Sequence, residues 1–234
     1  RKIDEGGFSM PELHLTCPVC QTHVDKDYPT HLNSKTQAPL VRDLFEGQLF
    51  RFECPTCGAE RQLTFQFLFH NPQAAYMIFL LPHYLEEKDR LEDDLEQILA
   101  GLNFSLDHYQ LRLVTTVPEL LEKIQILESG HDDRIIEAVK ILTDGLFATE
   151  KPDTPVKARY YYPSKGAERI LYVTDQDQIL VDLHQKLIDF VKGKYRKILE
   201  EDLRGDFHYI GYRWALDLLE GKKPESQLAS DNEK

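Results

Sequence analysis

The chain has 234 residues, 41% of them hydrophobic and 29% charged, with a net charge of −12. That length suits one large domain or two small ones with a real core. The acidic balance argues against broad binding to a phosphate backbone, which needs a basic surface. No apolar run approaches the roughly 20 residues that span a bilayer.

Residues 1–9 lack the apolar core of a signal peptide and read as an expression remnant or a disordered lead, with Met10 a candidate native start. Residues 12–17 and 48–54 are predicted strands, each running into a cysteine motif. All four cysteines lie in two copies of one tetrapeptide, Cys17-Pro18-Val19-Cys20 and Cys54-Pro55-Thr56-Cys57. Two such turns bring four thiolates around one tetrahedral Zn²⁺, with free backbone N–H groups donating to the sulfurs. Proline fixes φ within each turn, and Gly58 permits the left-handed residue that closes such a knuckle. Residues 21–53 separate the motifs, a longer spacer than the roughly 15–20 of compact four-cysteine sites. Closure entropy grows only logarithmically, so this is a small obstacle. Residues 39–46 are predicted as a short helix inside the spacer.

Residues 61–69 alternate as a strand leaving the second knuckle, His70-Asn71-Pro72-Gln73 is a turn, and residues 75–81 return. A helix over 86–101 follows from Leu91, Leu95, Ile98 and Leu102, with an acidic opposite face. Residues 110–116 form a strand, and Pro118 opens a helix that Ser129-Gly130 ends. Asp132 or Asp133 caps the next helix, on which Ile135, Val139, Leu142 and Leu146 share a face. Arg134 and Glu137, three apart, read as a surface pair.

Lys151-Pro152-Asp153-Thr154-Pro155 is the best linker. Beyond it, residues 157–162 and 169–174 form a hairpin around Pro163–Gly166, with Tyr160-Tyr161-Tyr162 alternating between its faces. Residues 184–202 form an amphipathic helix interrupted by Gly193, and its Lys192, Lys194, Arg196 and Lys197 read as a solvated face. A last helix spans about 212–220.

The paired motif, Gly47-Gln48-Leu49-Phe50, Leu68-Phe69-His70-Asn71, Met77–Pro82, Glu119–Ile124 and Asp132–Glu137 together resemble the CpXC domain family of bacterial and archaeal proteins. The resemblance covers about residues 12–145 and, more weakly, Trp214-Ala215. It implies a metal-binding domain in a bacterial cytoplasmic setting and brings no catalytic residues.

The expectation is therefore an α+β protein: a zinc-ribbon-like antiparallel sheet with packed helices, followed by a smaller α/β C-terminal portion. The domain boundaries expected are 10–148 for the zinc-binding domain, 149–222 for the C-terminal portion and 223–234 for a disordered tail. The expected metal ligands are Cys17, Cys20, Cys54 and Cys57, holding one structural Zn²⁺. A closed four-cysteine site needs none of His14, His23, His31 or His70, and leaves no open position for catalysis. Thiol redox catalysis is disfavoured because Cys57 is followed by Gly58 and a strand, with no helix to lower the thiol pKa. His131, Asp132, Asp133 and Arg134 are the most enzyme-like cluster, though acidic residues at a helix start are also explained by capping. A second metal held by His70, His83, Asp132 and Asp133 is a weaker alternative. The function expected is a cytoplasmic protein-interaction or adaptor role, with a dispersed-site enzyme or a ribbon that binds nucleic acid as alternatives.

Overall fold

The computed structural model describes residues 2–3, 9–10, 12–84, 86–87, 95 and 104–224. Most of the helix expected over 86–101 lies outside these, as does most of the tail from 223. Of that helix's residues, Glu86 and Glu87 lie in a turn and bend, and Leu95 is helical and buried. The chain is α+β and divides into two compact units, residues 1–117 and 118–234. The proline-bearing segment 151–155 falls inside the second unit.

In the first unit, the short strands β1 (Lys2–Ile3) and β2 (Ser9–Met10) pair antiparallel. Strands β3 (Glu12–Thr16) and β4 (His23–Asp27) form an antiparallel hairpin around the first knuckle. Next come β5 (His31–Asn33) and helix α1 (Ala38–Phe45), which has proline in its first turn. Strands β6 (Arg51–Glu53) and β7 (Glu60–Gln62) repeat the hairpin around the second knuckle.

The strand expected over 61–69 is broken. Leu63 still donates to the Phe50 carbonyl, but Leu63 and Phe65 then turn into the knuckle core. The Phe65 ring packs against Phe50 and Tyr28, with centroids 4.8 and 5.5 Å away. The chain thereby changes partners and continues as β8 (Phe67–Asn71), then β9 (Tyr76–Leu80). With β10 (Gln110–Val114), these form a mixed sheet in the order β10–β9–β8–β5. Its β8–β9 pair is antiparallel, whereas β9–β10 and β5–β8 are parallel. Every residue of β8 and β9 is buried; β9 is a continuous apolar run, whereas β8 extends past Phe69 into His70 and Asn71, which were expected in the turn.

The second unit opens with helices α2 (Val117–Glu128) and α3 (Asp133–Glu150). Gly130, at φ +75°, closes α2, and the His131 N–H donates to the Ile126 carbonyl across it. Strands β11 (Val156–Ser164), β12 (Ala167–Thr174) and β13 (Gln178–Asp182) form an antiparallel meander. Its first turn is Lys165-Gly166, both with positive φ, as the tightest hairpins require. Helices α4 (Gln185–Lys194), α5 (Arg196–Leu199) and α6 (Tyr212–Leu219) complete the unit. Ile135 and Val139 of α3 pack with Ile188, Val191, Trp214 and Leu218, while Phe147 stacks on Tyr172 with centroids 4.2 Å apart. Leu146, expected on the same buried stripe, is 49% exposed.

Helices α2 and α3 also bury charge. Lys123 Nζ lies 3.2 Å from Asp133, 3.3 Å from Glu137 and 2.7 Å from the Ile210 carbonyl oxygen. Lys140 Nζ lies 2.6 Å from Glu122 and 3.0 Å from Glu137. The Tyr161 N–H donates to the same Glu122 oxygen at 2.6 Å. All five side chains are more than nine-tenths buried. Glu137 is thus a core residue and not the surface partner of Arg134.

Candidate metal centre

Each knuckle sits between the two strands of a hairpin, and the two turns share one hydrogen-bond pattern. The Cys17 N–H donates to the Thr22 carbonyl and the Gln21 N–H to the Cys17 carbonyl. In the second knuckle, Cys54 donates to Ala59 and Gly58 donates to Cys54. The residue closing each turn is left-handed: Gly58 at φ +69° and Gln21 at φ +60°. Gly58 is legible in the sequence as that residue. Gln21 is not, since a side chain rarely adopts this conformation.

The four sulfurs all lie within 4.8 Å of one another. Cys17 and Cys57 are 3.6 Å apart, as are Cys20 and Cys54, so each close pair spans the two knuckles. A Zn–S bond of about 2.3 Å in a regular tetrahedron puts sulfurs about 3.8 Å apart. The donor set and spacing therefore fit a tetrahedral thiolate-bound metal. Among the described residues, no other group of three or more His, Cys, Asp or Glu side chains is arranged to hold an ion.

The cluster has a dry side and a wet side. Cys17 and Cys54 are buried with Leu15, Tyr28, Phe52 and Leu63, whereas Cys20 is half-buried and Cys57 exposed. The backbone N–H groups of Cys20 and Val19 hold the Cys17 thiol below its ordinary value. The Thr22 hydroxyl, 3.1 Å from Cys20 Sγ, and the Thr22 N–H draw Cys20 down to about 6. Cys57 receives the Ala59 N–H, but hydrogen bonds shared with Cys20, Cys17 and Cys54, together with burial, push it up to about 12. Thiols this close share protons, and a divalent cation would replace those protons. Thr22 is the supporting residue that sequence reading missed; its only signal is its place two residues after a motif cysteine.

The histidines lie apart from the sulfurs. His14 pairs with Asp25 at 2.7 Å and His23 Nδ1 lies 3.0 Å from the Thr16 hydroxyl, both on the exposed hairpin face. His31 and His70 are buried, with ring centroids 6.2 Å apart. His70 Nε2 lies 3.1 Å from the Tyr109 hydroxyl, and burial, helped by nearby His31, pulls the His70 ring down to about 4. His83 contacts Glu86 at 3.0 Å on the surface.

The enzyme-like segment is taken up by structural contacts. Asp132 is the cap of α3, accepting the Arg134 N–H at 2.9 Å. Arg134 forks onto the same carboxylate and donates to the carbonyls of Ile198, Leu199 and Glu201, closing the end of α5. Asp133 is buried against Lys123, one residue inside the Asp132 cap. His131 Nε2 lies 2.6 Å from Glu168, which also accepts the Tyr161 hydroxyl at 2.7 Å.

Fold and site together define an α+β protein with paired cysteine knuckles able to hold a metal ion. The CpXC protein family matches residues 15–140, more than half of the chain, and the chain belongs to that family. The matched span includes all four cysteines and all five buried charges of α2 and α3. Searches of curated proteins and of solved structures each returned no match.

Proposed function

We propose that Cys17, Cys20, Cys54 and Cys57 hold one structural Zn²⁺, and that the stapled hairpins serve a cytoplasmic protein-interaction or adaptor role. The observation carrying the zinc reading is four sulfurs within 4.8 Å, supplied equally by two hairpins. Strands of three to five residues cannot stand alone as two-stranded hairpins, so the metal supplies folding energy directly. Four thiolates also complete a tetrahedron, leaving no position for a reactive water. The interaction role is supported by Val19, an apolar side chain 71% exposed in the first knuckle turn. A rigid turn presents such a residue at little entropic cost.

Metal analysis of the purified chain tests the first part, with one equivalent of zinc expected and loss of hairpin structure on chelation. A metal-free chain that keeps its fold would overturn it. Capture of partners from the host tests the second part. Val19→Asp should lose the partner and keep the zinc; unchanged capture would remove Val19 from the interface.

A further inference from the structure

The four sulfurs are not equivalent. Cys17 is fully buried and Cys54 is 2% exposed, both behind the apolar wall of Leu15, Phe52 and Leu63. Cys57 is the one sulfur-bearing residue of the four that is exposed. A small oxidant arriving from solvent therefore meets Cys57 first; with the metal bound all four sulfurs are thiolates, and access is what selects among them. The sulfur 3.6 Å from it belongs to Cys17, on the other knuckle. The second close pair, Cys20 and Cys54, crosses between knuckles in the same way.

We propose that Cys57 is a peroxide-oxidation site and Cys17 its resolving partner, giving a disulfide that joins the two knuckles. In the first step the Cys57 thiolate attacks a hydroperoxide, whose O–O bond breaks. One oxygen stays on sulfur as the sulfenic acid, and the other leaves as hydroxide or alkoxide and takes a proton from water. In the second step the Cys17 thiolate attacks the Cys57 sulfur, the S–S bond forms and hydroxide leaves. Two electrons pass from the sulfur pair to the peroxide. A disulfide needs sulfurs about 2.05 Å apart, so the pair closes by roughly 1.5 Å. Two of the four metal donors are then spent. A second peroxide equivalent converts Cys20 and Cys54 by the same route.

The cross-knuckle pairing has a structural consequence. A Cys17–Cys20 or Cys54–Cys57 bond would leave the hairpins unconnected once the metal departs. Bonds between knuckles keep β3–β4 tied to β6–β7, so the oxidised form holds its arrangement and thiol reductants restore the donor set. The strand that follows Cys57 disfavours dithiol catalysis and does not oppose oxidation governed by exposure.

This inference rests on the zinc reading, and the experiment separates the two. Metal analysis of the full chain comes first, followed by limiting hydrogen peroxide. Released zinc is read with a chromogenic chelator and disulfides by non-reducing peptide mapping. One zinc released per Cys17–Cys57 crosslink, reversed by a thiol reductant, is the expected result. Cys57→Ser should slow release at limiting peroxide by at least about 10-fold. Limiting maleimide on the unmutated chain should label Cys57 first, which covers a serine variant that folds poorly. Disulfides within each motif, over-oxidised sulfur without a crosslink, or first labelling of another cysteine would overturn the proposal. A chain that lacks zinc yet forms the crosslink would overturn the zinc reading alone.

Discussion

The first unit buries sulfur and the second buries charge, and the two solutions ask different things of the chain. Around the knuckles, Cys17 and Cys54 are enclosed by apolar side chains while all four sulfurs converge within 4.8 Å. Between α2 and α3, two ammonium groups and three carboxylates are enclosed instead, each answering another's charge. A thiolate cluster depends on an ion from solution. The charged cluster is self-contained, but its strength depends on keeping every partner. Zinc availability should therefore govern one unit, and single charge deletions the other.

The largest effect should come from breaking the first solution. Apparent zinc binding energies in small domains are about 10–16 kcal/mol. Cys54→Ser or chelation should abolish protection of the knuckle hairpins in hydrogen exchange, while amides of α2 and α3 stay protected. Simultaneous loss in both units would remove the distinction.

Next in size are the buried lysines. Removing one partner from a buried ion network leaves an uncompensated charge and costs about 3–5 kcal/mol. Lys140→Met should therefore destabilise the second unit in denaturant titration and leave zinc content at one equivalent. Lys123→Met should behave similarly, with the additional loss of its bond to the Ile210 carbonyl.

The carboxylates of this network should respond oppositely to pH. Burial, only partly offset by Lys140 and reinforced by Glu137, raises the Glu122 carboxyl above its ordinary 4.5. Burial acts on Glu137 too, but Lys140 and Lys123 overcome it and hold that carboxyl below 4.5. A raised folded pKa means the folded state binds the extra proton. The Glu122 contribution is therefore full below 4.5 and lost as pH rises through its folded value. The Glu137 contribution is present above 4.5 and lost as pH falls through its lower folded value. Glu122→Gln should flatten the decline in stability above pH 4.5 and cost less than Glu137→Gln in denaturant titration. Equal costs, with the same pH dependence, would remove the contrast between the two carboxyls.

The smallest effects concern turn closure. A non-glycine residue in the left-handed region costs roughly 1–2 kcal/mol. Gln21→Gly should raise stability by about 1 kcal/mol once the lost Gln21 bond to the Pro18 carbonyl is set against that relief. Gly58→Ala should lower it by a similar amount through backbone strain alone, since nothing lies within 4 Å of an added Cβ. Thermal melts of zinc-loaded protein would show both.

The knuckles were legible because their logic is local: four residues determine each turn, and cysteine has few other uses at that spacing. Strand β9 was legible as a continuous apolar run and the cap of α3 as Asp132 or Asp133, whereas β8 was not, because its last residues, His70 and Asn71, read as a turn. Strand β4, His-Val-Asp-Lys-Asp, was not, because four of its five residues are exposed and β-propensity has little to act on. Only its pairing with β3 makes it a strand.

By itself, the sequence singled out the four cysteines and the tetrapeptides that carry them, since the pattern within a tetrapeptide needs no distant partner. Tertiary structure alone decided which cysteine faces water and which sulfurs meet across the knuckles. It also decided that Glu122, Lys123, Asp133, Glu137 and Lys140 lie inside. On a helix a charged residue looks the same in sequence whether it meets water or a partner, and these partners come from a second helix. Burial and partner are properties of the packed chain, which no local pattern encodes.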